Sequence, residues 1–266
     1  MNKRATNKTN KYYLKGLLVG QALLASTLAE AAVSSAEQTP IAKATESGDG
    51  AIALSYKKGE LVSFVFPDNK PGNGAAAQEY GKRAFPIAGK LGLSNDLTFN
   101  IEKIVGDFDP DAMVLYSWPS AEAETQFNNH PDWAQIKATR PDIWEELRVY
   151  TAVLPEDLSL IFKPQKVYTI AIAWTSEEKP NDYHRYFSII DDEVKNQGGR
   201  FMYKMFDPNY EAHVKTGKGP GQITLVEWDQ KDGFQQFVRS KTYQEKASNY
   251  FRSGVDYVEF FYITPR

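Results

Sequence analysis

The chain of 266 residues contains no cysteine and only three histidines. Without cysteine there can be no disulfide, thiolate nucleophile, iron–sulfur cluster or zinc site with Cys ligands. The histidines, His130, His184 and His213, are scattered and fit no zinc-binding spacing, so the sequence predicts no metal site and no cofactor. A chain without disulfides is held by its core, and an aromatic content of 13% is ample for that.

Clustered positive charge is also missing. The formal net charge is −3, and it falls to about −7 without the first 31 residues, which hold five Lys or Arg and one Glu. Binding to phosphate backbones needs grouped Lys and Arg that release counterions. The sequence therefore predicts neither nucleic acid nor an anionic membrane surface as a partner.

The N-terminus has the features of a secretory signal peptide. A basic start precedes the apolar segment 16–29, and Ala29-Glu30-Ala31 offers a small-x-small cleavage pattern. The apolar segment falls short of the roughly 20 residues that a bilayer crossing needs, which makes a retained anchor the alternative reading. We predict cleavage after residue 31, a periplasmic or secreted location, and no membrane attachment afterwards.

What the chain does contain is a repeat. "LYSWPSAEAETQF" (115–127) and "LVEWDQKDGFQQF" (225–237) share Leu, Trp, Gln and Phe at the same spacings, with an offset of 110. The same offset sets "ELRVYTAVLP" (146–155) against "DYVEFFYITP" (256–265). Both of these segments are dense in the β-branched and aromatic residues typical of strands.

Toward the N-terminus the offset falls to 106, so one hairpin of the second copy is four residues longer. Residues 80–92 then match 186–198, and each segment is a predicted helix that ends at glycine, the usual residue of a left-handed C-cap. An apolar run precedes each helix, at 61–66 and 167–174. Each copy therefore reads strand, helix, strand, strand, helix, strand.

A βαββαβ order is typical of the ferredoxin-like motif, which has a four-stranded antiparallel sheet with both helices on one face. A lone unit would expose its other sheet face, whereas two units can cover each other. We therefore predict an α+β fold in which two ferredoxin-like units pack sheet to sheet as an internal pseudo-dimeric α/β barrel. The predicted division is a signal peptide (1–31), a mobile leader (32–58), a first repeat (59–155), a linker (156–165) and a second repeat (166–266).

These segments resemble the dimeric α/β-barrel superfamily, and within it the small domains called DUF1330, with antibiotic-biosynthesis monooxygenase domains as relatives. The resemblance rests on the two tyrosine-to-glycine helices, on Gly198-Gly199-Arg200 and on the repeated Trp–Phe pattern. It implies two tandem copies that form an internal pseudo-dimer, and it leaves further oligomerisation open. These are packing motifs, so the resemblance says more about fold than about function.

Haem-degrading relatives in that superfamily carry a ligand histidine on the second helix, beyond the position of Phe127 and Phe237. The counterparts here are about Lys137 and Ala247. This departure argues against haem oxygenation of that type.

Aromatic side chains are the remaining candidates for ligand binding. Tyr80, Trp118, Trp174, Tyr186 and Trp228 stand at predicted strand ends or on the first helices, which in this fold border the space between sheet and helices. Each offers an apolar body and one hydrogen-bonding tip, so together they would suit a small apolar or aromatic molecule. Core packing is the alternative reading of these five residues.

The sequence leaves three functions open and does not by itself reveal a reaction. The leading interpretation is binding of a small apolar or aromatic ligand. The second is a cofactor-independent oxygenase or isomerase in which His184 or Arg185 moves or orients a proton while Tyr186 and Trp228 hold the substrate; a helix-surface location for the histidine is the alternative. The third is a protein-interaction module without a pocket.

Overall fold

The structure is a computed structural model that describes residues 43–213 and 217–266. It is an α+β fold with antiparallel strand pairs and, within these two ranges, six α-helices. The predicted signal peptide lies outside the described residues, as do the first part of the predicted leader and positions 214–216 of the longer hairpin. In the part of the chain that is described, no helix has the length and apolar character to cross a membrane.

The first half of the described chain holds two short strands followed by a β-α-β-β-α-β series. Its elements are β1 (Thr45–Glu46), β2 (Ile52–Tyr56), β3 (Leu61–Asn69), α1 (Gly74–Lys90), β4 (Ser94–Val105), β5 (Ala112–Trp118), α2 (Ala121–Asn128), α3 (Trp133–Lys137), a 3-10 turn (Arg140–Asp142) and β6 (Trp144–Val153).

The second half begins with a connecting strand and repeats the same series. Its elements are β7 (Leu158–Phe162), β8 (Val167–Thr175), α4 (Pro180–Asn196), β9 (Gly199–Phe206), β10 (Asn209–Ala212), β11 (Gln222–Trp228), α5 (Gly233–Arg239), a π-helix (Tyr243–Ala247), α6 (Ser248–Gly254) and β12 (Val255–Pro265).

Nine strands form one sheet in the order β10-β6-β3-β5-β4-β12-β8-β11-β9. The runs β6-β3-β5-β4 and β12-β8-β11-β9 each place the fourth strand of a βαββαβ unit first, followed by its first, third and second strands, which is a ferredoxin-like arrangement. The two runs meet where β4 pairs with β12, from Phe99–Pro265 to Val105–Phe260.

The two edge strands of this sheet, β9 and β10, follow each other directly in the sequence. β9 pairs with β11, whereas β10 pairs with β6 of the first half, so that Tyr210 lies opposite Tyr150. Only Asp207 and Pro208 separate β9 from β10, and Asp207 has a positive φ of 41°. The chain therefore passes from β9, at the edge of the second-half run, directly to β10, which pairs with β6 of the first half.

The largest core cluster takes residues from both halves. Strand alternation points Phe64 and Tyr150 of the first half, and Ile170 and Phe261 of the second, to the same side of their strands, and all four are buried in this cluster. Full burial of each such side chain contributes about 1.5–3 kcal/mol. This cluster is therefore shared by the two halves.

A separate apolar layer lies between the sheet and the helices in each half. In the first half Trp118 contacts Phe127, with ring centroids 5.3 Å apart. In the second half Trp228 contacts Phe237 at 6.0 Å. The Trp–Phe pattern of the sequence is thus a strand-to-helix contact in both halves.

The predicted glycine ends of the first helices are confirmed. Gly92 and Gly198 have positive φ values of 85° and 72°, which favour glycine. Gly199 is needed for a different reason, because an added Cβ would lie 2.6 Å from Val194 and 2.7 Å from the Trp228 ring. Both helices begin earlier than the sequence pattern indicated, and α4 begins with a proline, which is favoured in the first helical turn.

The predicted leader and linker boundaries need correction. β2 lies within the predicted leader (32–58) and pairs with β7, which lies within the predicted linker (156–165), while β1 pairs with β2 to complete a second, three-stranded sheet. The alternation in "IALSY" buries Leu54 and Tyr56 in the shared core cluster. Because the residues before position 51 are small and polar, the sequence pattern placed β2 in the leader rather than in a strand.

The repeat offset in the last strands is 111 rather than the predicted 110. Tyr150 lies opposite Phe64, and Phe261 lies opposite Ile170, which is 106 residues beyond Phe64. Because the offset is still 110 at Trp118 and Trp228, the extra residue enters between there and β12. The second half has its π-helix in this region, and a π-helix accommodates additional residues within a helical run.

Candidate functional site

A small, partly open cavity lies between the sheet and helices α4, α5 and α6 of the second half, and its volume is about 40 Å³. Nine of the side chains that line it are aromatic, and none is charged. Ala171 and Ala173 of β8 leave space beneath the helices because their side chains are small. Tyr186 and Phe237 approach this space from α4 and α5.

The polar groups of the cavity wall are paired or neutral. Nε1 of Trp228 donates a hydrogen bond to Oγ1 of Thr169 at 2.8 Å. Burial raises the pKa of Tyr183, against a smaller lowering by a hydrogen bond with Thr224, and burial also raises the pKa of Tyr186. Both phenols therefore stay protonated at neutral pH and cannot serve as bases. The wall suits an uncharged, apolar body.

The cavity is small compared with the roughly 300–1,000 Å³ of ordinary ligand pockets. Five of the lining rings are only partly buried: Phe187, Phe201, Phe234, Phe251 and Phe260. A molecule larger than a few heavy atoms would have to displace such rings. The ammonium of Lys204 lies over two of them, 4.4 Å from the ring centroid of Phe187 and 4.1 Å from that of Phe201.

The five aromatic residues predicted to bind a ligand do not come together. Tyr186 and Trp228 line the cavity. Tyr80 and Trp118 lie in the corresponding layer of the first half, where the Tyr80 hydroxyl accepts a hydrogen bond from Nε of Arg140 at 3.3 Å. The sequence repeat identified equivalent Tyr and Trp positions in the helix layers of the two halves. Of these, only Tyr186 and Trp228 line the cavity.

Trp174 was predicted to border the same space, and this prediction is wrong. Alternate residues of a strand point to the same face, so Trp174 shares the face of Ile170 and Ile172 on β8. It therefore packs against the shared core cluster rather than toward the helices. Its Nε1 donates to the carbonyl oxygen of Lys218 at 2.9 Å, and its ring lies 5.2 Å from that of Tyr257. A shift of one residue along a strand changes the face that a side chain occupies.

His184 and Arg185, the predicted acid–base pair, do not face the cavity. Both are exposed on α4, whereas Tyr183 and Tyr186 of the same helix are buried. The Arg185 guanidinium lies 4.9 Å from the ring centroid of Tyr250 on α6. The helical period places these two side chains on the solvent side, so the structure does not support the catalytic role predicted for them.

The other two histidines have structural partners. Nδ1 of His130 accepts a hydrogen bond from the backbone N–H of Asp132 at 3.3 Å. His213 is partly buried beside β6, where its Nδ1 accepts a hydrogen bond from the backbone N–H of Leu147 at 2.9 Å. Within the described ranges, no group of three or more His, Cys, Asp or Glu residues is placed to hold a metal ion.

Sequence reasoning missed a buried ion pair between the halves. Nη1 of Arg148 on β6 lies 2.6 Å from Oε1 of Glu259 on β12. Nε of Arg148 also donates to Glu146 at 2.6 Å, and the guanidinium lies 3.8 Å from the centroid of the Phe108 ring. Burial alone would lower the pKa of Arg148, but the two carboxylates outweigh it and raise that pKa. The signal that could have revealed this pair is one charged residue, Arg148 or Glu259, at an inward-facing position of each otherwise apolar strand.

A second missed group is a buried carboxylate beside an open groove of about 470 Å³. Asp96 is 3% exposed and sits at a bulge, where the register of β4 against β5 shifts between Asn95 and Leu97. Its Oδ2 accepts a hydrogen bond from the Tyr56 hydroxyl at 3.0 Å. Bulges redirect side chains in this way. The pair links β2 to the main sheet.

The chain matches no family model and none of the curated proteins. Among solved structures, an anthrone oxidase-like protein is 12% identical with a TM-score of 0.48, over 80% of this chain and 94% of that one. A mutant chlorite dismutase from Candidatus Nitrospira defluvii is 10% identical with a TM-score of 0.40, over 79% and 93%. A protein of unknown function from Rhodopseudomonas palustris is 17% identical with a TM-score of 0.28, over 41% and 84%.

Anthrone oxidase-like, monooxygenase-like and chlorite dismutase proteins are thus among the solved structures to which the chain is similar. Similarities of this strength assign neither a reaction nor a ligand to this chain.

Proposed function

We propose that the protein binds a small apolar or aromatic molecule in the cavity of its second half. The observation that carries this proposal is a small cavity whose lining is uncharged and largely aromatic. An apolar guest there leaves water and gains dispersion contacts with the surrounding rings. Movement of the partly buried Phe187 and Phe201 supplies the room that a ring-sized guest needs.

The same lining favours binding over proton-transfer catalysis. A general base has to lie within hydrogen-bonding reach of the proton that it removes. The wall carries no carboxylate, imidazole or amine, and its phenols are held protonated. His184 and Arg185 lie on the opposite face of α4.

The proposed architecture is a tandem of two DUF1330-like copies closed into an internal pseudo-dimeric barrel. Three observations support it: β4 pairs with β12, β10 pairs with β6, and both halves fill one core cluster. In this arrangement each half covers the inner sheet face of the other, and each keeps its own layer of helices outside.

The proposed location is periplasmic or secreted, after cleavage behind residue 31. Intact-mass measurement of the protein recovered from the periplasm or medium of an expressing cell tests this proposal. A mass equal to that of residues 32–266 supports it. A full-length chain retained in the cytoplasm contradicts it.

Toluene is a suitable probe of the cavity, because it is apolar, uncharged and the size of one aromatic side chain. Titration followed by NMR should give saturable shifts for Tyr186 and Trp228. Ala173→Leu should abolish them, because the larger side chain projects into the cavity. Ala173 is 1% exposed and lines the space directly.

Ala84→Leu is the matched control. Ala84 is 3% exposed in the helix layer of the first half, so this variant suffers similar overpacking away from the cavity. It should bind toluene as the wild type does once it is folded. The proposal fails if the wild type shows no saturable shift, or if Ala173→Leu binds toluene unchanged. Native mass spectrometry of the protein from its own source then looks for a natural guest.

A further inference from the structure

Lys204 on β9 places a positive charge beside the apolar cavity. Its ammonium lies over the rings of Phe187 and Phe201, within 4.4 Å of both centroids, and both rings line the cavity. Both phenylalanines are partly buried, so this part of the lining is also open to solvent. A molecule that entered between these rings would pass the ammonium.

The ammonium has no carboxylate of the described chain within ion-pair distance. Asp191 on α4 acts on the pKa of Lys204 through its charge, but its carboxylate is itself ion-paired with Lys195 at 2.5 Å. Burial lowers the pKa of Lys204, because partial loss of water disfavours the charged amine. The two aromatic faces offset part of that cost, but they supply no hydrogen-bond acceptor oxygen.

This arrangement belongs to the second half only. With the offset of 106, Phe187, Phe201 and Lys204 correspond to Gly81, Asn95 and Thr98. The first half therefore has neither the two rings nor the cation at these positions. A feature needed only to build the ferredoxin-like unit would be expected in both halves.

We propose that Lys204 binds the anionic end of the ligand, so that the site takes a small molecule with an apolar body and one carboxylate, such as an aromatic acid. This inference rests on the proposed function and adds the chemical class of the ligand. The apolar body enters the uncharged cavity, and the carboxylate stays at the partly exposed edge. The flexible four-carbon stem of lysine lets the ammonium leave the rings and meet the carboxylate.

Benzoate and benzamide form the test pair, because they have nearly the same shape and differ in charge. Isothermal titration calorimetry of the mature protein at low salt should show benzoate binding about tenfold more tightly than benzamide, as one charge-assisted hydrogen bond would give. The preference should shrink as the ionic strength rises. Lys204→Met should remove the preference and leave benzamide affinity unchanged, and Lys204→Arg should restore it.

Lys103→Met is the control, since Lys103 lies on a strand of the first half, paired with Asp109 and away from this cavity. It should keep the benzoate preference. The inference is overturned if the wild type binds both probes equally, or if Lys204→Met still prefers benzoate. Those results leave the proposed function intact as long as toluene binds. If toluene, benzoate and benzamide all fail to bind, both proposals are wrong.

Discussion

Arg148 and Glu259 form an ion pair that is almost completely removed from water, with side chains 2% and 0% exposed. Glu259→Leu should lower the free energy of unfolding by about 3–5 kcal/mol, because it leaves a buried guanidinium without one of its carboxylates. Urea denaturation of the purified variant measures the change.

Glu177→Gln is the comparison, because it breaks an ion pair between exposed side chains, Lys218 and Glu177. It should cost far less than Glu259→Leu, because water screens an exposed pair. The double variant Arg148→Leu/Glu259→Leu should be more stable than Glu259→Leu alone, since no unpaired guanidinium remains. Equal costs for Glu259→Leu and Glu177→Gln would contradict the assigned role of the buried pair.

The contribution of the Asp96 carboxyl to the free energy of unfolding should be larger in mild acid than at neutral pH. Burial raises the pKa of Asp96, against smaller opposing effects of the Ser94, Ser117 and Tyr56 hydroxyls. Between its ordinary and its raised pKa the folded protein binds more protons than the unfolded chain, so the contribution of this carboxyl to stability rises as the pH falls. The free energy of unfolding of the wild type, minus that of Asp96→Asn, should therefore increase from pH 7 toward pH 4 in urea titrations.

Asp157 supplies a control of opposite sign. The hydrogen bond from Lys57 lowers the pKa of this exposed carboxylate. Its contribution is present above its ordinary pKa and is lost as the pH falls through the lowered value. The difference between wild type and Asp157→Asn should therefore decrease in acid. A flat or decreasing difference for Asp96→Asn would refute the raised pKa.

Gly199→Ala should destabilise the second half by about 1–3 kcal/mol, because the new methyl group meets Val194 and Trp228 within 2.7 Å. Thermal unfolding followed by near-ultraviolet circular dichroism reports both the loss of stability and the disturbance of the indole. Gly89→Ala is the control, since nothing lies within 4 Å of its added Cβ. That change in α1 should raise stability by about 0.5–1 kcal/mol. Similar destabilisation by both changes would show that the contact with Trp228 is not limiting.

Thr169→Val should cost about 1–3 kcal/mol, because it leaves the buried Nε1–H of Trp228 without its acceptor. Thr169→Ser keeps a hydroxyl and should preserve the hydrogen bond, which the indole N–H resonance reports in NMR spectra. The two variants separate loss of the acceptor from loss of the methyl group. An unchanged indole resonance in Thr169→Val would contradict the assigned bond.

The sequence contained enough to predict the two β-α-β-β-α-β series, because strand alternation and the glycine ends at Gly92 and Gly198 are local signals. The Trp–Phe contacts were equally accessible, since Trp228 and Phe237 recur with the spacing of Trp118 and Phe127. These features depend on residues that are close in sequence or on a repeated pattern, and both can be read without the fold.

Other features depend on contacts that no local pattern reveals. β2 is a strand because β7, about a hundred residues away, provides its partner. The face occupied by Trp174 depends on strand parity, which a boundary error of one residue reverses. The cavity depends on the small volume of Ala173 opposite rings from other elements. His184 looked chemically suitable, but its helix turns it toward solvent.

The Arg148–Glu259 contact also distinguishes the two strand series from each other. Arg148 lies opposite Phe66 on β3, and Glu259 lies opposite Ile172 on β8, 106 residues further on, so the two charges occupy equivalent places in the two strand series. Two identical chains related by a twofold axis would bring like charges together at these places, either two arginines or two glutamates. In this chain an arginine meets a glutamate, so the two strand series differ in charge at equivalent places. Because both strand series belong to one chain, each of these places can carry its own charge, and the attraction between them holds the two series in register.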